Sequence, residues 1–407
     1  MAIAIQRMRR LENPIQNYAW GSKTAIADLT DRNVPSPKPE AELWMGAHPK
    51  ASSKVVYNGH TITLRDLISR HPQEILGERV ARRFGNQLPF LFKVLAATEP
   101  LSIQAHPNQD QARTGYEREN RANIPLDAPH RNYRDESHKP EIICALTEFW
   151  GLNGFRTIED LQHLLKRYCR DSLAIYFAAL HHRPPENALR QLFRSMLTLQ
   201  DHEKDSAIAE ATHQAQRTTP EDPISRWMLK LSAAYPGDIG ILAPIILNLV
   251  RLTPGQAMFL PAGRLHAYLE GVGIELMANS DNVLRGGLTS KHIDQDELMG
   301  ALRFESRDPG VMTAQSISRT EARFSTTADE FILTKLVVAP DANHEASHHR
   351  NVEILLLTNG QATLETITTG EQLHVKRGES ILIPAAAGSY RISGQAEIYM
   401  ATVPETI

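Results

Sequence analysis

Pro254-Gly-Gln-Ala-Met-Phe-Leu-Pro261-Ala-Gly263 has an echo later in the chain, Arg377-Gly-Glu-Ser-Ile-Leu-Ile-Pro384-Ala-Ala-Ala-Gly388. Each stretch is a Gly turn, a short apolar strand, a Pro and a second turn. Pro ends a strand because it cannot donate to the ladder, and Gly supplies tight corners. This order is typical of a jelly roll. Two such units in one chain predict two β-sandwich barrels.

The two echoes differ in the residues that follow them. The first continues Arg264-Leu265-His266, and the second continues Ser389-Tyr390-Arg391. An imidazole, a common metal ligand, is therefore present after the first turn only. This difference predicts that the second barrel holds no metal.

Between the two strand-rich regions the sequence changes to a helical period. Thr157-Ile-Glu-Asp160 resembles a capping box, as does Thr63-Leu-Arg-Asp66, which predicts a helix to about Arg70. Apolar runs at Leu88–Ala97 and Glu141–Trp150 predict strands. Apolar residues at i, i+3, i+4, i+7 spacing then predict helices: Leu161, Leu164, Leu165, Tyr168, Leu189, Leu192, Phe193, Met196 and Leu197.

These patterns predict a mainly β fold with a helical insertion. The architecture is two cupin-type jelly-roll β-barrels plus an α-helical domain. Residues 1–156 and 236–320 would form the barrel with the functional site, 157–235 the helical insertion, and 321–407 the C-terminal barrel without metal.

Composition excludes several classes of partner. The formal charge is −3, from 44 basic and 47 acidic residues in 407, so nothing favours nucleic acid or an anionic membrane. Cys144 and Cys169 lie in no CxxC motif, which fits a reducing compartment. The most apolar stretch, 241–250, is far too short to span a bilayer. We expect a cytoplasmic protein without disulfides.

Two histidine-bearing segments and a carboxylate stand out as a possible metal site. Gln104 and His106 are two apart and would share one face of a strand, Glu141 opens an apolar strand, and His266 follows the first turn. Two imidazoles and a carboxylate suit zinc. Spacing alone does not select them among 17 histidines, and His344, His348 and His349 form a rival cluster that we interpret as a surface loop.

Long motifs support this choice through a resemblance. The chain resembles the type I mannose-6-phosphate isomerase family, a cupin family, from the N-terminus to about residue 295. The motifs are Asn17-Tyr-Ala-Trp-Gly-Ser22, Glu42-Leu-Trp-Met-Gly-Ala-His-Pro49, Leu88-Pro-Phe-Leu-Phe-Lys-Val-Leu95, Ile103-Gln-Ala-His-Pro107, His138-Lys-Pro-Glu141 and Asn279-Ser-Asp-Asn-Val-Leu-Arg-Gly-Gly287.

The resemblance implies roles for named residues. One zinc per chain would be held by Gln104, His106, Glu141 and His266, with Arg285 as the active-site residue. Phosphate would go to Ser102 and Lys291. Apart from the resemblance, Trp20 or Trp44 could stack on the sugar. The pocket would be lined by Lys93, His138, Lys139, Glu275 and Asp281.

The implied activity is the interconversion of mannose 6-phosphate and fructose 6-phosphate through an enediolate. The base stays open between His138, Lys139 and Glu275. We expect a monomer acting on a small sugar phosphate, with zinc as its cofactor. Two alternatives remain: a metal-dependent cupin oxygenase, which Gln104 argues against, and a non-catalytic sugar-binding cupin.

Overall fold

The computed structural model describes residues 5–180, 184–347 and 350–405. The part before the helical block contains most strands of one sheet and several short helices. The strands are β1 (Arg9–Arg10), β2 (Ile15–Gln16), β3 (Glu42–Gly46), β4 (Lys54–Tyr57), β5 (His60–Thr63), β6 (Phe90–Ala97), β7 (Ile103–Ala105), β8 (Glu141–Ala145) and β9 (Phe149–Phe155). The helices are α1 (Ala25–Leu29), α2 (Leu64–Arg70), α3 (Pro72–Leu76), α4 (Glu78–Arg83) and α5 (Gln109–Arg121).

A run of helices follows β9, as the helical period predicts. Thr157 is the N-cap of its first helix and accepts a hydrogen bond from the Asp160 amide, which confirms that predicted start. The helices are α6 (Ile158–Tyr168), α7 (Ala174–Leu180), α8 (Pro185–Leu197), α9 (Asp201–Gln216), α10 (Pro223–Ala234) and α11 (Ala243–Ile246), with a 3₁₀ turn at Ile239–Leu242.

The remainder of the chain returns to strands. They are β10 (Leu247–Leu252), β11 (Gln256–Leu260), β12 (His266–Ala278), β13 (Leu284–Gly287), β14 (Val311–Thr313), β15 (Gln315–Ser316), β16 (Glu321–Phe324), β17 (Ile332–Val338), β18 (His344–Ala346), β19 (Glu353–Thr366), β20 (Gln372–Lys376), β21 (Ser380–Ile383) and β22 (Tyr390–Thr402). Helix α12 (Gln295–Ala301) and a 3₁₀ turn at Ala385–Ala387 interrupt them.

The strands form two large antiparallel sheets. The first sheet has eleven strands, β2, β3 and β6 to β14, and the second has nine, β1 and β15 to β22. The predicted fold class, mainly β with helices inserted between strand-rich regions, is confirmed. The predicted domain boundaries stay a prediction, and one strand crosses them, since β1 near the N-terminus pairs with β21 of the second sheet.

The predicted run Glu141–Trp150 is two strands rather than one. β8 ends at Ala145 and β9 starts at Phe149, because the polar pair Thr147-Glu148 makes the turn between them. The Thr147 hydroxyl accepts a hydrogen bond from the Val272 amide, which holds this turn against β12.

Side chains along the strands of the first sheet point alternately towards the helices and towards the opposite face of the sheet. Ile103, Ala105, Ala267 and Leu284 are buried in one apolar cluster with side chains of the helical block. Full burial of each larger apolar side chain of this kind contributes about 1.5–3 kcal/mol. The side chains between them, such as Gln104, therefore face away from the helices.

A second apolar cluster joins the two sheets. It contains Ile142 and Cys144 of β8 together with Phe331, Leu333 and Tyr399 from the second sheet and its approach. None of the helices in the described residues is long and apolar enough to cross a membrane.

Candidate active site

Three neighbouring strands bring predicted site residues onto one face. Gln104 of β7 lies opposite His266 of β12 and opposite Arg285 of β13. Directly opposed residues on antiparallel strands point to the same side, and His106 is two residues from Gln104. These four side chains therefore share the face that is turned away from the helices.

A glycine turn ties the two histidines together. Gly263 has φ +79°, and a Cβ there would lie 2.8 Å from the Ala301 carbonyl oxygen, so a larger residue would be strained and crowded. Its amide donates to the His106 carbonyl oxygen at 2.8 Å. The Pro-Ala-Gly turn of the sequence thus places His266 beside His106.

His106, Glu141 and His266 form a buried cluster of metal-ligand type. One ligand atom from each residue lies within 4.8 Å of the others. His106 Nε2 is 3.3 Å from Glu141 Oε1, and His266 Nε2 is 3.5 Å from Glu141 Oε2. It is the one such cluster of three found in the residues that the structure describes.

The hydrogen bonds around the cluster fit a metal ion. His106 Nδ1 donates to the Asn282 carbonyl oxygen at 2.7 Å, and His266 Nδ1 donates to the Arg264 carbonyl oxygen at 2.9 Å. Both rings therefore turn Nε2, with its lone pair, towards Glu141. His106 Nε2 is buried without a hydrogen-bond partner among the described residues. A metal ion would satisfy this orphaned nitrogen.

Burial and local charge keep His106 and Glu141 in the protonation states that metal binding needs. Burial, and then the Lys139 ammonium, lower the pKa of His106 to about 4. Burial raises the pKa of Glu141, but Lys139 and His106 outweigh it and hold that pKa well below its usual value. Lys139 Nζ lies 2.9 Å from Glu141 Oε1. The cluster thus offers the neutral imidazole of His106 and the carboxylate of Glu141, with the His266 ring beside them.

A second buried ionic network adjoins the cluster. Lys93 Nζ lies 2.8 Å from Glu275 Oε2 and 3.6 Å from Glu42 Oε2. Burial lowers the pKa of Lys93, and these two carboxylates raise it by more, so it stays charged. Burial raises the pKa of Glu275 although Lys93 opposes this. Tyr268 connects the networks, since its hydroxyl donates to Glu141 Oε2 at 3.4 Å.

Three cations converge at the β13 side of the site. Burial, and then Arg134, lower the pKa of Arg285. Burial, and then Arg285 and Arg134, lower the pKa of Lys291. None of the three charged groups has a carboxylate partner among the described residues, although ion pairs are frequent elsewhere in the chain. Their mutual repulsion is uncompensated, as expected for an anion-binding site.

The remaining predicted residues lie at the margin of this group. Asp281 pairs with Lys50 at 2.8 Å and is 3.6 Å from His48. Half-buried Trp20 packs against the apolar cluster that contains Tyr268. Ser102 is half-buried immediately before β7, with no described side-chain hydrogen bond.

The structure does not bring His138 into contact with the metal-type cluster. Its Nε2 donates to Glu330 Oε1 at 2.6 Å, on the side opposite to Lys139. The reason is the difference in ion-pair partners, since His138 pairs with Glu330 and the neighbouring Lys139 pairs with Glu141.

The rival histidine cluster is also placed differently from the prediction. His344 is buried beside Thr320, so the surface-loop interpretation is wrong for this residue. It opens the short strand β18, which pairs with β22 and covers the imidazole. His348 and His349 lie outside the described residues.

Two residues at the site were not predicted from the sequence. Tyr268 is two residues from His266 on β12, so strand alternation was a usable signal for it. Arg134 lies in the loop before β8, and no spacing rule connects it with Arg285 or Lys291. Only the folded chain brings these three cations together.

Comparisons with known proteins match both halves of the chain. Residues 8–158 match the family model of phosphomannose isomerase type I, catalytic domain, and residues 320–403 match that of the mannose-6-phosphate isomerase cupin domain. The chain is 44% identical to the mannose-6-phosphate isomerase of Salmonella typhimurium over 395 residues, covering 96% of this chain and 98% of the relative. It is 34% identical to the Homo sapiens enzyme of that name, covering 94% and 95%.

Solved structures agree with these relatives. The chain is similar to mannose 6-phosphate isomerase from Salmonella typhimurium bound to its substrate and to a zinc atom, with a TM-score of 0.89 and 41% identity. The match covers 97% of this chain and 99% of the other. A zinc-bound mannose 6-phosphate isomerase matches with the same score and coverage.

Proposed function

Since the chain belongs to the type I phosphomannose isomerase family, we propose that it is a zinc-dependent isomerase of mannose 6-phosphate and fructose 6-phosphate. One observation carries the proposal. A buried imidazole–carboxylate cluster lies near a group of cations that have no carboxylate partner among the described residues. Arg285 shares the sheet face of the cluster, and Arg134 and Lys291 lie near Arg285 in loops. The first suits a metal and the second suits a phosphate dianion.

The cations are assigned to the phosphate end and to the charge that develops during reaction. Lys291 is exposed and is assigned to phosphate with Ser102, and Arg134 adds a second positive charge there. Arg285, opposite Gln104 on β7, lies nearer the metal ligands. It is assigned to the oxygens of the reacting carbons.

The metal is assigned to Gln104, His106, Glu141 and His266. When bound, zinc would polarise the substrate oxygens. Asn282 and Arg264 hold the two imidazoles by their Nδ1 atoms, so the chain prepares the ligand geometry.

Proton transfer between the two carbons is assigned to Lys139 or Glu275. Both contact the buried networks, at Glu141 and Lys93 respectively, whereas His138 does not. Burial raises the pKa of Glu275, as is expected of a carboxylate that acts as a general base. Tyr268 would relay changes of charge between the two networks, because its hydroxyl lies between them.

The rival functions fit less of the site. Two histidines and one carboxylate would also suit a non-haem iron oxygenase. That function gives no reason for Gln104 on the same face, nor for three unpaired cations nearby. A sugar-binding cupin without catalysis leaves the buried Lys93–Glu275 pair without a purpose.

The direct experiment is a coupled assay on mannose 6-phosphate with purified protein, before and after chelation. We expect turnover that is lost with the metal and restored by Zn²⁺, with one zinc per chain by elemental analysis. Activity that survives complete metal removal would refute zinc dependence. Turnover restored by Fe²⁺ together with O₂ consumption would support the oxygenase instead.

An isotope experiment tests the enediolate. Deuterium at C2 of mannose 6-phosphate should wash out partly into solvent, with some transfer to C1 where the base is shielded from water. Complete retention of label over many turnovers would indicate a hydride shift and would remove the base roles of Lys139 and Glu275.

The cytoplasmic location, the monomeric state and the domain division remain predictions from sequence. We include them in this proposal. Sedimentation of the purified protein tests the monomer directly, since a dimer would sediment with twice the mass of 45.5 kDa.

A further inference from the structure

The segment before β8 has two sides with different partners. Residues 137–140 carry no helix or strand assignment. Lys139 is buried and contacts Glu141 at 2.9 Å, inside the metal-type cluster. The neighbouring His138 contacts Glu330 at 2.6 Å. Because the two residues are adjacent, the contact that holds the His138 ring also restrains the direction of the Lys139 side chain.

Glu330 belongs to the approach to the second sheet and is firmly held. It lies between β16 and β17, next to Phe331, which is fully buried in the cluster joining both sheets. Ala328 is buried in the same cluster, whereas Asp329 is exposed and its pair with Arg83 lies at the surface. The carboxylate that contacts His138 is thus anchored independently of the first sheet.

Polar contacts, rather than packing, hold His138. A cavity of about 360 Å³ adjoins it, lined partly by Gln109 and Pro140. Another of about 290 Å³, also lined by Gln109, adjoins Glu330. The His138 amide donates to Gln109 Oε1 at 3.3 Å, a weak contact. The short bond to Glu330 is accordingly the main restraint on this ring.

The carboxylate itself is only partly satisfied. Glu330 Oε2 is buried without a hydrogen-bond partner among the described residues. A buried carboxylate oxygen without a partner is costly, so the environment of Glu330 is not optimised for stability. A buried polar atom that lowers stability in this way is commonly found where the side chain has a functional role.

We propose that Glu330 is a positioning residue, supplied by the second sheet's approach, that holds His138 and so directs Lys139 towards the metal-type cluster. It touches neither substrate nor metal. The proposal rests on the proposed function and gives the C-terminal part of the chain a role in catalysis.

The experiment compares two substitutions at Glu330 in the full-length zinc-loaded protein. Glu330→Ala should lower kcat for mannose 6-phosphate about tenfold and leave KM within about twofold, because orientation rather than binding is lost. Glu330→Gln should stay within about threefold of the parent, since its amide oxygen still accepts from Nε2. The control Asp329→Ala removes the adjacent exposed ion pair and should leave kcat unchanged.

A double-mutant cycle separates positioning from general stability. If Glu330 acts through His138, the double variant with His138→Ala and Glu330→Ala should be no slower than the worse single variant. Additive losses would overturn the proposal, as would parental kcat in Glu330→Ala or equal losses in Glu330→Ala and Asp329→Ala.

Hydrogen exchange gives a readout that needs no activity. Backbone amides at 137–139 should exchange faster in Glu330→Ala than in the parent, with parental rates in Glu330→Gln. Unchanged exchange in Glu330→Ala would overturn the proposal even if the parent lacked isomerase activity. An inactive parent with altered exchange would instead refute the proposed function alone.

Discussion

Glu141 and Glu353 occupy matching places in the two large sheets. Glu141 opens β8 and pairs with Leu260, the last residue of β11 before the turn at Pro261. Glu353 opens β19 and pairs with Ile383, the last residue of β21 before Pro384. The echo in the sequence is therefore a true repeat of strand pairing, and it carries a buried carboxylate to the same position in each sheet.

The partners of these carboxylates differ. His266 and Tyr390 each open a strand of thirteen residues, β12 and β22, after the second turn of the echo. In the first sheet the Nε2 atoms of two imidazoles face Glu141, and that of His106 has no hydrogen-bond partner among the described residues. In the second, the Tyr390 hydroxyl donates to Glu353 at 2.9 Å, and Arg350 Nε lies 3.3 Å from the same oxygen.

One backbone plan therefore supports two kinds of buried carboxylate site. Both carboxylates accept from a tyrosine hydroxyl and lie beside a cation of the chain, Lys139 at Glu141 and Arg350 at Glu353. Only Glu141 also faces two imidazoles, and a metal ion would satisfy the buried His106 Nε2, which has no hydrogen-bond partner among the described residues. The metal-type site is thus decided by a few side chains at the strand ends and not by the sheet.

The largest expected effect comes from substituting the matched positions, His266 and Tyr390, one at a time. His266→Ala should remove zinc and lower turnover by at least about a thousandfold, because the metal-centred charge stabilisation is lost. Tyr390→Phe, at the matching place of the second sheet, should keep zinc and stay within about threefold. Elemental analysis and the coupled assay measure both. Full turnover in metal-free His266→Ala would refute the assignment of the metal site to the first sheet.

The buried carboxylate of the second sheet should give a distinct pH dependence of stability. Burial, opposed by Arg350 and Tyr390, raises the pKa of Glu353 from 4.5 to about 7. The protonated form is favoured on folding, so this contribution is complete below pH 4.5 and lost as pH rises through 7. The loss is about 3 kcal/mol in the free energy of unfolding.

Denaturant unfolding at several pH values between 4.5 and 7.5 measures this contribution. Glu353→Gln cannot titrate, so its unfolding free energy should lack this component of the fall. The difference in slope between parent and variant is the quantity to compare, since the variant also leaves Arg350 without its carboxylate. Parallel profiles would contradict the assigned environment of Glu353.

The smallest expected effect comes from substituting cations that have no carboxylate partner among the described residues, with a paired cation of the second sheet as the control. Lys291→Met should raise KM for mannose 6-phosphate about tenfold to a hundredfold, or about 1.5–3 kcal/mol, and leave the use of free mannose unchanged. Arg285→Met should lower kcat more than it raises KM. Lys376→Met, an exposed second-sheet cation paired with Asp31, serves as the silent control.

Both substrates must be measured for each variant. If Lys291→Met weakened the use of both sugars equally, the phosphate assignment would be withdrawn, and Lys291 would be structural. A loss of kcat in Lys376→Met would show instead that distant charge, and not a local cation site, affects the reaction.

The main elements of the fold were predictable because their signals are local. Period, caps and turns place the helix from Ile158, the strand ending at Ala97 and the two Pro–Gly turns. The turn between β8 and β9, after Ala145, was not predicted, because it contains few polar residues and lies within a largely apolar run. The pairing of β1 with β21 was not predicted, because strand pairing across the whole chain has no local signature.

The site was predictable only in part. Spacing put Gln104 and His106 on one face, and the resemblance selected Glu141 and His266 from many alternatives. Arg134 had no such signal, since it faces its partners across a loop. His138 was predicted from its motif, yet in the folded chain its ring is hydrogen-bonded to Glu330.

What the sequence determined by itself was the repeat, the helical insertion, the absence of a second imidazole turn and the family. These follow from the order and spacing of residues, which the chain carries before it folds. The tertiary structure alone decided which charges meet. It brings Arg134 to Lys291, Lys93 to Glu275, and Glu330 to His138 over 192 positions of sequence. Electrostatic interaction depends on distance and burial in space, and neither is written in local sequence.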